Sequence, residues 1–131
     1  MQISKEFVFL AMLFCHVLDD YGLQVRILSS LKQKSWWNEH APDKLYKYDY
    51  LTALLMHCIS WSFMVMLPVA VYHGFDVHST FVFLFCVNVV VHAVTDHVKA
   101  NKRLINLVVD QMFHVIQIIM TFDICINYGR V

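Results

Sequence analysis

His92 and Asp96, two side chains able to hold an ion, stand four residues apart in N-V-V-V-H-A-V-T-D-H-V-K-A-N-K, the stretch from Asn88 to Lys102. Residues at that spacing on an α-helix differ by about 40° around the axis, so imidazole and carboxylate converge as ligands to one ion would. The chain repeats the pairing. His16 and Asp20 have the same order and spacing, Asp110 and His114 the reverse order, and His57 stands alone in another apolar segment. Imidazoles and carboxylates without a thiolate suit zinc, manganese or iron. Zinc takes three or four protein ligands, so the set His16, Asp20, His57, His92, Asp96, Asp110 and His114 is enough for one or two divalent transition-metal ions, with zinc the first choice.

These residues interrupt segments of membrane length. An aspartate inside hydrocarbon costs roughly 2.5 to 3.5 kcal/mol on insertion scales, so several ionisable groups in one small chain imply a shared interior site. Four helices would position them, over about residues 3–24, 48–72, 79–102 and 104–128, each long enough for a ~30 Å hydrocarbon core. Between the first two, Val25 to Lys34 alternates apolar and basic residues and suits a short helix lying on the membrane surface, with a solvated connector as the alternative. Ser35 to Lys47, with Trp36, Trp37 and Pro42, has an interfacial composition and reads as the one long loop. Pro68 predicts a kink, and Gly74 a tight reversal of the chain. The expected fold is all-α: one domain over 1–131, an antiparallel four-helix integral membrane bundle.

Composition agrees with that class. The 131 residues are 59% hydrophobic and 15% charged, outside ordinary soluble usage. Formal net charge is zero, which gives no basic face for nucleic acid. Cys15, Cys58, Cys86 and Cys125 are scattered without C-x-x-C spacing, so they read as small buried hydrophobes rather than a zinc finger, redox pair or disulfide framework. The N-terminal M-Q-I-S-K-E and the apolar run after it look like a signal peptide, but His16 and Asp20 follow in place of a small-residue cleavage site, and a retained first span is expected.

Lysine and arginine set the orientation. Arg26, Lys32, Lys34, Lys44 and Lys47 lie between the first two helices and Lys99, Lys102 and Arg103 between the last two, whereas the middle connection has neither type. The first and third connections should therefore be cytoplasmic and both termini non-cytoplasmic, with Lys5 and Arg130 as the opposing charges. In that topology all seven candidate ligands fall in one layer towards the cytoplasmic side. Lys99 stands on nearly the same face as Asp96 and could meet an anionic substrate. Asp19 should point away from Asp20, and His97 away from Asp96, because adjacent helix positions differ by about 100°. His40, His73 and His78 fall in connections, and Asn88 and Gln117 extend the polar stripes as orienting partners.

At these residues the chain resembles a bacterial and phage family of small membrane proteins called domain of unknown function 3307. The resemblance covers H-V-L-D-D-Y-G-L-Q from His16, L-L-M-H ending at His57, H-A-V-T-D-H-V-K from His92 and D-Q-M-F-H from Asp110. It implies a multi-pass protein of a bacterial inner membrane and no activity. A looser likeness is to membrane-bound metal-dependent hydrolases carrying H-x-x-x-D on membrane helices, themselves distantly similar to zinc-dependent phospholipase C and nuclease folds. The N-terminal tryptophan and further histidines of those soluble enzymes have no counterpart here.

The chemistry expected is metal-dependent hydrolysis of a phospholipid or lipid-linked phosphoester. A metal-acidified water would attack, Asp20 or Asp96 would take its proton, and Lys99 would hold the phosphate. The alternatives are a metal transporter or sensor using the same ligands, and a small structural or phage membrane protein acting through partners. A homo-oligomer is left open.

Overall fold

The computed structural model describes residues 3–24 and 26–128, and among these the chain is all-helical. Six α-helices follow in order: α1 Lys5–Val17, α2 Arg26–Leu31, α3 Lys34–His40, α4 Asp49–Tyr72, α5 Ser79–His97 and α6 Leu107–Asp123. α1, α5 and α6 each run on into wider π-helical turns, over Leu18–Leu23, Val98–Lys102 and Ile124–Tyr128.

α4 is the central element. Leu54, Cys58, Trp61, Val65 and Val69 recur at three- or four-residue spacing and are all buried, so one face of the helix is committed to the interior. That helix packs between α1 and α5, and α6 closes the group against both. Their shared core includes Val8 and Met12 of α1, Trp61 and Val65 of α4, Leu84 of α5 and Ile118 of α6.

The surface of these helices inverts the soluble arrangement. Phe7, Leu10 and Phe14 of α1, Phe63 of α4, Phe83 and Val90 of α5 and Met112 and Ile116 of α6 are exposed, while His16, His57, His92, His114, Asp19, Asp96 and Asp110 lie inside. An apolar exterior around a polar interior suits lipid rather than water. Among the described residues three helical stretches are long and apolar enough to cross a membrane: Lys44–Tyr72, Ser79–Lys102 and Leu107–Tyr128. The first helix departs from the uniform span expected of it. Only Lys5–Val17 is α-helical, and the wider turns that follow carry Asp19 and Asp20.

The connections also differ from expectation. Ser35 to Lys47 is not a loop, because α3 and a 3-10 turn over Lys44–Tyr46 occupy most of it. Trp37 Nε1 donates to the Leu31 carbonyl at 2.7 Å and Trp36 stacks on His40 one turn later, contacts that an interfacial composition does not disclose. The surface helix was expected from Val25, which lies outside the described residues, as does Arg130; what forms is α2, and it packs on α4. α4 continues as helix through Pro68. Gly74, at φ 65°, and Phe75, at φ 62°, make the reversal before α5. α6 begins at Leu107 rather than 104 because Asn106 caps it, its side-chain oxygen accepting from the Val109 N–H at 3.0 Å. The four cysteines are free, and Cys86 is exposed on α5 rather than buried.

Candidate metal centre

Alternating helix direction brings the end of α1, the first third of α4, the end of α5 and the start of α6 to one end of the group. His16, Asp20, His57, His92, Asp96, Asp110 and His114 meet there. His57 Nε2 lies 3.1 Å from His92 Nε2, 3.5 Å from Asp20 Oδ1 and 3.6 Å from Asp96 Oδ2. His114 Nε2 lies 3.6 Å from Asp96 Oδ1 and 3.6 Å from Asp110 Oδ1. Two donor groups result, Asp20 with His57 and His92, and His92 with Asp96 and His114. They share His92.

A tetrahedral zinc with bonds of ~2.0–2.1 Å holds its ligand atoms about 3.3 Å apart. The separations above lie within a few tenths of an ångström of that value, while His92 Nε2 to Asp96 Oδ2 in the second group is longer, at 3.9 Å. His114 Nε2 and Asp110 Oδ1 are also buried with no hydrogen-bond partner among the described residues. Buried polar atoms are normally paired, so these two add a place where an ion fits.

His16 reaches the cluster in a different capacity. Its Nδ1 accepts the indole N–H of Trp61 at 2.8 Å, which puts the ring proton on Nε2, where it donates to Gln111 Oε1 at 3.1 Å. Both nitrogens are engaged, and His16 belongs to neither donor group. Trp61 is also stacked on His92, with ring centroids 4.3 Å apart. Its position four residues after His57 was the available sequence signal, since i and i+4 share a helix face.

Asp19 overturns the expectation that it faces away. It is 1% exposed, accepts from Ser60 Oγ at 2.6 Å, and lies 3.6 Å from His57 Nδ1. The 100° offset between neighbours belongs to an α-helix, and the chain widens into π-helical turns from Leu18. More residues per turn bring neighbouring side chains closer in direction, so Asp19 faces α4 while Asp20 joins the donor group.

The lysines hold the remaining carboxylates. Lys99 turns to Asp110 Oδ2 at 2.5 Å instead of following Asp96, and Lys32 takes Asp96 Oδ2 at 2.5 Å. Lys32 lies far from these aspartates in sequence, and no spacing points to it. Gln111 joins two carboxylates, donating to Asp110 at 3.1 Å and to Asp20 at 3.4 Å. His97 contacts Asn101 and stacks on Tyr50, while His40, His73 and His78 remain elsewhere. Asn88 and Gln117 bond each other and, through Asn88, Thr121, forming a separate polar layer rather than orienting the histidines. Beside Asp96 a pocket of about 290 Å³ is walled by Lys32, Lys99, Arg103, Gln24 and Ser29.

Comparison with protein-family models, with curated proteins and with solved structures gives no match, so the case for this centre rests on its own residues.

Proposed function

We propose that the chain is a multi-pass membrane protein that binds a divalent transition metal at this end and hydrolyses a phospholipid or lipid-linked phosphoester from the cytoplasmic leaflet. The observation that carries the reading is a charge imbalance. Among the described residues Asp19, Asp20, Asp96 and Asp110 crowd the centre, and the lysines paired with them are Lys32 and Lys99. With neutral imidazoles two negative charges remain beside an unpaired histidine nitrogen, and buried charge is costly without a partner. One divalent ion supplies that charge, and the donor types suit zinc, with manganese and iron as alternatives.

In this reading His57, His92, Asp96 and His114 are the ligands, with Asp110 available to them. Bound there, the ion would supply a Lewis acid that acidifies a water towards neutral pH. Among the described residues Asp20 pairs with no lysine, and of the donor-group carboxylates it is the one placed to accept a proton. The outward apolar residues of α1 support counting it as a fourth span beside α4, α5 and α6. Lysine and arginine on both connections at the site's end support a cytoplasmic location for that end. The likeness to the domain of unknown function 3307 family belongs to the same reading, with a bacterial inner membrane as the location.

A second reading meets the same two charges with protons and makes the cluster a structural polar core. The two lysine–carboxylate pairs favour it, because they already neutralise two of the four aspartates. Elemental analysis of the detergent-purified protein separates the two. About one or two equivalents of a transition metal, lost in a His92→Ala, Asp96→Ala double variant, is the expected result, and phosphate release from phospholipids is then the assay. A folded wild type that holds no metal after reconstitution leaves the proton reading standing.

A further inference from the structure

The pocket beside Asp96 has a composition that neither the ligands nor the apolar core requires. Three cations, Lys32, Lys99 and Arg103, line it with the amides of Gln24 and Gln33 and the hydroxyl of Ser29, and Asp96 is the one carboxylate in its wall. Two of those cations are already engaged from behind, Lys32 by Asp96 and Lys99 by Asp110. Arg103 has no ion pair among the described residues. Each lysine therefore stands between a carboxylate of the metal centre and an open pocket of about 290 Å³.

We propose that this pocket is a phosphoryl-oxyanion site, coupled to the metal centre by an exchange of partners at Lys32 and Lys99. The inference rests on the metal reading above. At Asp110 an arriving cation would take the unpartnered Oδ1 beside the oxygen that Lys99 holds, whereas at Asp96 the ammonium of Lys32, 2.5 Å from Oδ2, competes with that cation for the same oxygen. Once the cation takes it, the ammonium loses its counter-charge and is repelled by the new neighbour. Lysine carries its charge on a flexible four-carbon stem, so the head can swing without moving the helix. Lys99, at 34% side-chain exposure, is already turned partly outward. The direction in which both lysines can go is the pocket, where Arg103 adds a guanidinium suited to two oxygens of one phosphoryl group.

The exchange makes two binding events help each other. A phosphoryl oxyanion draws the lysines off the carboxylates and prepares the centre for its ion, and the ion releases the lysines for the oxyanion. By linkage each must tighten the other by the same factor. The chemistry is common to free phosphate and to a phosphomonoester lipid headgroup.

The test is a zinc titration of the purified protein in chelator-buffered solution, which fixes free zinc, with and without inorganic phosphate. It is repeated in phosphatidylcholine nanodiscs with and without phosphatidic acid. Zinc affinity should rise about fivefold or more with at least one of the two oxyanions, and which one acts identifies the source. In a Lys32→Met, Lys99→Met variant zinc should bind at least as tightly without oxyanion, and the dependence should disappear. Should that variant not fold, Lys99→Gln alone, at the more exposed lysine, should weaken the dependence. Zinc binding that ignores both oxyanions overturns the coupling and leaves the metal reading intact. A dependence that survives removal of the lysines overturns the exchange, because the oxyanion would then act on the ion directly. Absence of zinc binding under every condition ends the metal reading and this inference with it.

Discussion

Asp19 and His57 make an arrangement in which one imidazole nitrogen faces a carboxylate while the other faces the donor group. Such a carboxylate fixes the ring's tautomer and orientation, and its loss commonly lowers metal affinity about 10–100-fold. Asp19→Asn should do so in a zinc titration while the helical circular dichroism stays unchanged; unaltered affinity would make Asp19 a partner of Ser60 alone. Trp61→Phe removes the N–H that His16 accepts but keeps a ring against His92. It should cost about 1–3 kcal/mol in detergent unfolding, the usual penalty for leaving a buried polar atom unpaired, and should leave metal content unchanged. At this scale the i, i+4 rule made three of the pairs legible; Trp61 carried the same signal, by its spacing from His57, and was missed. It could not find Lys32 or Gln111, whose roles depend on which helices become neighbours, and it misdirected Asp19 because the rule assumes an α-helical turn.

Helix termini, more than helix interiors, decide where the reactive groups stand. Asn106 caps α6 three residues before the Val109 N–H it accepts, and its carbonyl receives the Asp110 N–H at 3.1 Å. Asn106→Ala should destabilise the protein by about 1 kcal/mol on unfolding, the ordinary cost of a lost N-cap. Gly74 occupies the left-handed region with open space around a would-be Cβ, so Gly74→Ala should cost about 1–2 kcal/mol through backbone conformation alone. A cost near zero would mean that the turn can rearrange. The helices α4, α5 and α6 were legible by apolar run length, and the buried faces of α5 and α6 by the polar residues that interrupt it, Asn88, His92 and Asp96 on one and Asp110, His114 and Gln117 on the other. The π-helical extensions were not: Gly22 marks a place where Leu18–Leu23 can loosen, but nothing in the residue types says that wider turns will set Asp19 against Ser60 and Asp20 beside His57. α3 was hidden for the opposite reason, its tryptophans advertising an interface more strongly than a helix.

Taken whole, the molecule is asymmetric from end to end, and orientation is its most exposed expectation. In a background without the native cysteines, Lys44→Cys should react with an impermeant thiol reagent only from the cytoplasmic side and Asp76→Cys only from the other side. Labelling of both from one side would sink the assignment. The overall class was legible from apolar content and run length, which report how much surface must avoid water, and the short connections imply that α4, α5 and α6 are neighbours in turn; the contact of α1 with α6 that closes the group was not legible, since it joins helices distant in sequence. That order also fixes what lies beyond Trp61. Past its ring the interior holds Val8, Met12, Val65, Met66, Val69 and Ile118, each about 1% exposed or less, beside the buried layer in which Asn88, Gln117 and Thr121 bond one another. Among the described residues the histidines are therefore backed by packed side chains rather than a corridor, and in the metal reading the opening past Lys32 and Lys99 would serve entry and exit alike.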